Sequence, residues 1–199
     1  MSEPRGPAGR KRSTGAHRAI IEATLAMLRE AGYHQFTVEG VAARAGVGKA
    51  TVYRWWPSKA SLVVEALSGQ LGEPIQPTGD TEHDVRAMIA STFDLVGGLL
   101  GEVLIADMSR DALAGHQLAD LLGPYRAAYG AILLGAAGRG DLPYNVDVSK
   151  VVDLIAGMAL IGRLMHRPAG PDLIEDLTAL VLAGPLPRLP PPRSSAPRS

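Results

Sequence analysis

The sequence predicts an all-α chain, with an N-terminal three-helix domain carrying a helix-turn-helix and a larger helical domain behind it, about nine helices altogether. Three observations predict this. Apolar residues recur at intervals of three and four through most of the 199 residues, and no alternating stretch of strand length appears. Residues 36–59 read as two short helices around a glycine turn, the second of them basic and aromatic. Charge is also split along a chain that is formally neutral: residues 1–60 hold ten Lys or Arg against four acids, the remainder ten against sixteen. A basic front end on an acidic body is the distribution expected of a nucleic-acid reader with a separate regulatory domain.

The elements follow in order. Residues 1–14 are rich in Gly, Pro, Arg and Ser and are expected to form an unstructured basic arm. A first helix spans about Gly15 to Gly32. Thr37 can cap the next helix, whose apolar face is Val38, Val41, Ala42 and Ala45. Gly46 supplies the turn, and Val47 can plug the core beneath it. The second helix of the pair runs from about Lys49 to Trp56 and stops before Pro57. Val52 and Trp56, four apart, face inward. Lys49, Ala50, Thr51, Tyr53, Arg54 and Trp55 cover the remaining face. Ser58 can cap the helix after that, with Lys59 in its first turn.

A helix-turn-helix places its second helix in the major groove of DNA, so this segment names double-stranded DNA as the expected partner. The candidate contacts are Thr37, Gly48, Lys49, Ala50, Thr51, Tyr53, Arg54, Trp55 and Lys59. Arg12 of the basic arm could reach phosphates or the minor groove. Lys59 and Tyr53 are expected at phosphates, and Lys49, Thr51 and Trp55 at base edges.

The body reads as helices throughout. They are expected over Ser58 to about Leu71, Thr81 to about Gly97, Leu99 to Ala114, Ala119 to Gly138, Val146 to about His166, and Pro171 to Ala183. The Val151–Met165 helix is apolar nearly all round, so it must be covered on more than one side. A second copy of the chain could supply one cover, and Ala156, Gly157, Ala159 and Gly162 would allow close approach. Two recognition helices related by a two-fold axis would also read a palindrome, which a single one would not. Met88, Phe93, Met108, Tyr125, Tyr129, Met158 and Met165 are adaptable or aromatic side chains suited to an apolar effector pocket. The same residues also suit a plain core. Residues 185–199 are dominated by proline and are expected to be unstructured. The expected division is therefore 1–14, 15–60, 61–184 and 185–199.

Other classes find little support. There is no cysteine, so disulfides and thiolate metal sites are excluded and a reducing cytoplasm is compatible. The first fifteen residues lack the apolar core of a secretory leader, and the longest apolar run, 154–162, is too short to span a bilayer. The five histidines are scattered without metal-ligand spacing. Asp107 and Asp111, four apart, look like a solvated helix face. His166 with Arg163 and Arg167 suits a helix C-terminus. The Gly135–Gly140 stretch lacks the strand that a phosphate loop requires. No enzyme, cofactor or membrane partner is expected.

The segment resembles the DNA-binding domain of the TetR (tetracycline-repressor-like) family of bacterial transcriptional regulators. The matching residues are Thr37, Val41-Ala42-Ala43-Arg44-Ala45-Gly46-Val47, Thr51, Tyr53, Pro57, Ser58 and Lys59, preceded by Ala31-Gly32-Tyr33 at the end of the first helix. The match covers about Ala16 to Leu67. Members of the family often carry an acid or serine where Gly48 stands, and Tyr or His then Phe where Trp55-Trp56 stand. The resemblance implies a cytoplasmic homodimer, most often a repressor, that binds a palindromic operator and is released by a small hydrophobic effector. It also implies a four-helix dimer interface from about 148–167 and 172–183 of each subunit. The alternatives are a ligand-independent regulator or activator with the same DNA reader, or a helical protein–protein dimerisation module.

Overall fold

The computed structural model describes residues 8–107, 111–167 and 169–189 of the chain. Among them the order of helices is α1 (Ala8–Gln35), α2 (Val38–Arg44), α3 (Lys49–Trp55), α4 (Lys59–Ser68), α5 (Thr81–Gly97), α6 (Leu99–Asp107), α7 (Ala112–Arg139), α8 (Val148–Leu164) and α9 (Pro171–Ala183). Extended backbone pairs at one antiparallel bridge among the described residues, Val146 with Arg188. The chain divides into two compact units, with the division falling inside α5 and α7.

The first unit takes the chain to Glu73 together with Leu95–Gly123. Its core joins Ile20 and Leu28 of α1 to Val41 of α2, Val52 of α3, Leu62 and Val63 of α4, and Leu100 and Val103 of α6. Each such side chain contributes roughly 1.5–3 kcal/mol by leaving water. The apolar face of α4, Leu62, Val63 and Leu67, fills the core that the helix-turn-helix and α6 share. α1 starts at Ala8, earlier than the expected Gly15, so residues 8–14 are helical and not an unstructured arm. Arg10, Lys11 and Arg12 are good helix formers, and no proline follows Pro7 in this stretch. The helical path breaks at Gly32, with φ 71° and ψ 173°, where the sequence expects the end of the first helix.

The second unit takes Pro74–Asp94 and the chain from Pro124 onward. Its first loop is clasped by a buried carboxylate. Asp84 accepts from the Thr78 and Gly79 amides at 3.0 and 3.1 Å and from the Thr78 hydroxyl at 2.6 Å. Burial raises the Asp84 pKa, but these hydrogen bonds outweigh it and hold the carboxyl below its ordinary value. The sequence expects helices over Leu99–Ala114 and Ala119–Gly138, whereas α6 ends at Asp107 and α7 runs from Ala112 straight through Gly115. Asp111 accepts from the Ala114 amide at its start, so it sits ahead of α7 and does not share a helical face with Asp107. None of the glycines inside α7 takes a positive φ, and the helix ends at Gly140, with φ 86°. Pro124 lies within it.

Asp147 caps α8 by accepting from the Lys150 amide at 3.2 Å. α9 begins with proline in its first turn, a position where the missing N–H costs nothing. The start of the proline tail is ordered: the Leu189 amide donates to Asn145 O and the Asp147 amide to Pro187 O, each at 2.8 Å. Residues 185–189 are thus not unstructured, because the non-proline amide and a proline carbonyl still supply a ladder. Residues 190–199 lie outside the described residues.

Candidate nucleic-acid interface

The turn is built by backbone geometry. Thr37 caps α2, its hydroxyl accepting from the Gly40 amide at 3.1 Å. At the other end Gly46 has φ 66°, and the Val47 amide returns to Ala42 O at 3.0 Å while the Gly46 amide reaches Ala43 O at 3.2 Å. This six-to-one and five-to-two closure ends α2 sharply and redirects the chain into α3. α3 has only seven residues, too few to persist alone. Burial of Val52 and Trp56 holds it. The Trp56 indole N–H donates to Glu65 Oε2 at 2.6 Å, and His17 Nε2 lies 2.9 Å from Glu65 Oε1.

With Val52 and Trp56 inward, the opposite face of α3 is open. Gly48, Lys49, Ala50, Tyr53 and Arg54 are exposed, as is Thr37 at the start of α2, and Thr51 is half-buried. Together they offer cationic donors, hydroxyls and a methyl group on one surface. Those groups match phosphate oxygens, base-edge acceptors and the thymine methyl.

Two of the expected contacts, Trp55 and Lys59, are half-buried and also bind within the subunit. Trp55 is half-buried against the core, with its ring 5.3 Å from that of His17 and the Arg54 guanidinium 5.4 Å from it. Its indole is used to pack α3 onto α1, because a large apolar ring gains more from that burial than from water. Lys59 donates to Tyr33 O at 2.6 Å and lies 4.1 Å over the Tyr33 ring, so its ammonium ties α4 to the end of α1. The Arg12 side chain lies outside the described side chains.

Acids of the first unit hold some of its cations, two of them at spacings that no local pattern marks. Glu39 pairs with Lys49, Glu30 grips Arg44 through two bonds of 2.6 and 2.7 Å, and Glu22 lies 3.7 Å from Arg18. Hydrogen bonding from Lys49 lowers the Glu39 pKa, and the same contact raises that of Lys49. Arg44 acts likewise on Glu30 and is itself raised. The Glu39–Lys49 and Glu30–Arg44 spacings are ten and fourteen residues, so no helical periodicity exposes them; only an acid standing in a basic domain hints at a partner.

The candidate effector residues separate into two groups within the second unit. Met88, Phe93, Tyr125 and Tyr129 are buried, and the Tyr129 hydroxyl donates to Ser91 Oγ at 3.0 Å. Met158 and Met165 are instead exposed, at 45% and 62%, in line with Leu154 and Ile161 at 58% and 51% on α8. These four recur at helical spacing and form one apolar stripe, so the two methionines belong to that surface and not among the buried four. Gly162 points the other way. It is buried beneath the chain that leaves α8, with Arg167 O 3.5 Å from where a Cβ would stand. Met108 lies outside the described residues. Among the described residues no three His, Asp or Glu side chains group as a metal site, and no helix is long and apolar enough to cross a membrane.

Comparison with known proteins agrees with this geometry. Residues 20–66 match the family model for bacterial regulatory proteins of the tetR family, and residues 75–181 match the tetracyclin repressor-like C-terminal domain. The chain belongs to the tetR family. It is 30% identical over 156 residues to the uncharacterized HTH-type transcriptional regulator YdeS of Bacillus subtilis, covering 75% of this chain and 78% of that one. It is 29% identical over 156 residues to the DNA-binding transcriptional repressor TetR of Mycobacteroides abscessus, covering 75% and 80%. Among solved structures it is similar to the TetR family transcription regulator SCO0332, with TM-score 0.65 and 28% identity over 86% of this chain and 99% of that one. A transcriptional regulator of this family reads DNA through the helix-turn-helix, here α2 and α3.

Proposed function

We propose that this tetR-family regulator is a dimeric repressor that reads a palindromic operator through α3 of each protomer. An apolar small molecule taken up by the second unit would release it. The carrying observation is the two-sidedness of α3: Val52 and Trp56 are buried while Lys49, Ala50, Tyr53 and Arg54 stand open beside Thr37. That arrangement supports base-edge contacts from Lys49 and Ala50 and phosphate contacts from Tyr53, Thr37 and Arg54. The half-buried Thr51 and the backbone at Gly48 lie close enough in sequence to join them. Lys59 and Trp55 serve chiefly to hold the reader together.

Dimerisation is supported by the α8 stripe of Leu154, Met158, Ile161 and Met165, which leaves apolar surface exposed in a single copy. The repressor reading draws on the similarity to the M. abscessus repressor. The effector reading draws on Met88, Phe93, Tyr125 and Tyr129, soft or aromatic groups that could repack around an apolar guest. A guest acts only through unequal affinity for two states, and a tenfold loss of operator affinity needs about 1.4 kcal/mol of coupling.

The test is fluorescence anisotropy of labelled genomic duplexes with wild type and Arg54→Ala, followed by a screen of lipophilic metabolites and cationic dyes by thermal shift. The reading predicts tight, salt-dependent binding, weakened by Arg54→Ala, and at least one compound that stabilises the free protein while dissociating the duplex. Absence of duplex binding at low salt overturns it. Duplex binding that no compound alters reduces it to a constitutive repressor.

A further inference from the structure

We propose that Glu39 acts as an internal competitor for DNA, holding the Lys49 ammonium against α2 so that any duplex must displace it. The inference rests on the DNA-binding reading of α3. Lys49 is the first residue of α3, and recognition helices use their N-terminal residues at base edges. Glu39 projects from the first turn of α2, and its Oε1 pairs with Lys49 Nζ. The ammonium lies 5.5 Å from the Tyr53 ring centroid, so the pair stretches from α2 across the open face of α3. Both side chains are more than half exposed, at 53% and 60%, so the pair lies in the path of an approaching polyanion.

Why Glu39 and not the other acids follows from bond geometry. Glu30 grips the Arg44 guanidinium through two parallel bonds, a planar fork that resists exchange. Lys49 is instead a compact point charge on a flexible stem, paired with Glu39 through Oε1 and without a planar fork. Its three donors can be handed from carboxylate to phosphate or to a base acceptor. Displacing Glu39 costs the ion pair, and leaving it in place neutralises Lys49; both weaken binding. The competing structural role is stabilisation of the α2 N-terminus by an acid in its first turn. That role predicts a change in melting temperature and none in DNA affinity.

The experiment compares full-length wild type, Glu39→Gln, Lys49→Gln and the double variant on a labelled duplex of scrambled sequence across a potassium chloride series. Glu39→Gln should tighten binding about threefold at low salt. It should also steepen the dependence of log affinity on log salt by up to about one. In the Lys49→Gln background the same change should do neither. Equal tightening in that background would mean that Glu39 merely repels phosphates by its own charge, and the proposal falls. Weakening by Glu39→Gln would make it a residue that positions Lys49 for DNA, and the proposal falls equally. A carboxyl titration of Glu39 by NMR reads the pair without DNA. Its midpoint should lie below the ordinary glutamate range in wild type and rise in Lys49→Gln, with the backbone hydrogen bond at Glu39 still lowering it there, and an ordinary midpoint in wild type overturns the pairing itself. If wild type binds no duplex, while the titration still shows the pair, it is the DNA-binding reading that fails.

Discussion

Two residues in the left-handed region show how position decides what a side chain costs. Gly46 closes α2 at φ 66°, and nothing lies within 4 Å of where its Cβ would stand. Gly46→Ala should therefore cost about 1 kcal/mol through backbone conformation alone, without a clash. His166 takes the equivalent place after α8, at φ 53°, with the Arg167 amide returning to Gly162 O at 2.8 Å. Here the left-handed residue is not glycine, so His166→Gly should stabilise by about 1 kcal/mol, less the backbone freedom the unfolded chain gains. Urea denaturation of both variants checks the pair of signs. Asp84 gives a pH dependence. Its folded pKa lies below the ordinary value of 3.8, so its contribution is complete above that value. It is lost as pH falls through the depressed folded value. Asp84→Asn should lower stability at neutral pH and flatten the acid limb of the stability–pH curve. An unchanged acid limb would show that the clasp with Thr78 and Gly79 does not hold the loop.

At the scale of elements, most of the fold was legible because caps and breakers are local. Thr37, Gly46, Pro57 and Ser58 bound α2, α3 and α4 within a residue or so of where the sequence places them, and Pro171 starts α9 as expected. What was not legible depends on partners far along the chain. The glycines of α7 argue for a break, and only burial of Leu118, Tyr129, Ile132 and Leu133 along one continuous helix overrides them. Trp55 looks like a DNA contact from its place on α3, and its turn toward His17 comes from α1, which no local pattern relates to it. α8 was readable as apolar all round but not by side. The structure places Leu154, Met158, Ile161 and Met165 outward and Gly162 inward, so substitution of Gly162 would disturb the subunit's own turn. Ile161→Glu is the sharper test of the dimer. It should leave the monomer folded, since Ile161 is exposed, and shift light scattering from dimer to monomer. A persistent dimer in that variant would move the interface off α8.

For the whole molecule, the division of charge seen in sequence becomes a division of labour with a qualification. The basic surplus of residues 1–60 already subtracts Glu22, Glu30 and Glu39, and these acids pair in place with Arg18, Arg44 and Lys49. The count of ten cations thus overstates the donors open to an approaching duplex, while the net charge stands, and binding should draw on the shape and hydrogen bonds of α3 as well as on bulk attraction. On the proposed function, two copies of α3 read one symmetric site. Selection of bound duplexes from a random pool by the full-length protein reads that symmetry from the DNA itself. Enrichment of an inverted repeat is expected, with half-site centres about one helical turn, roughly 10–10.5 base pairs, or a multiple of it apart. Recovery of an unsymmetric single site, or of no enriched sequence at all, would contradict that reading.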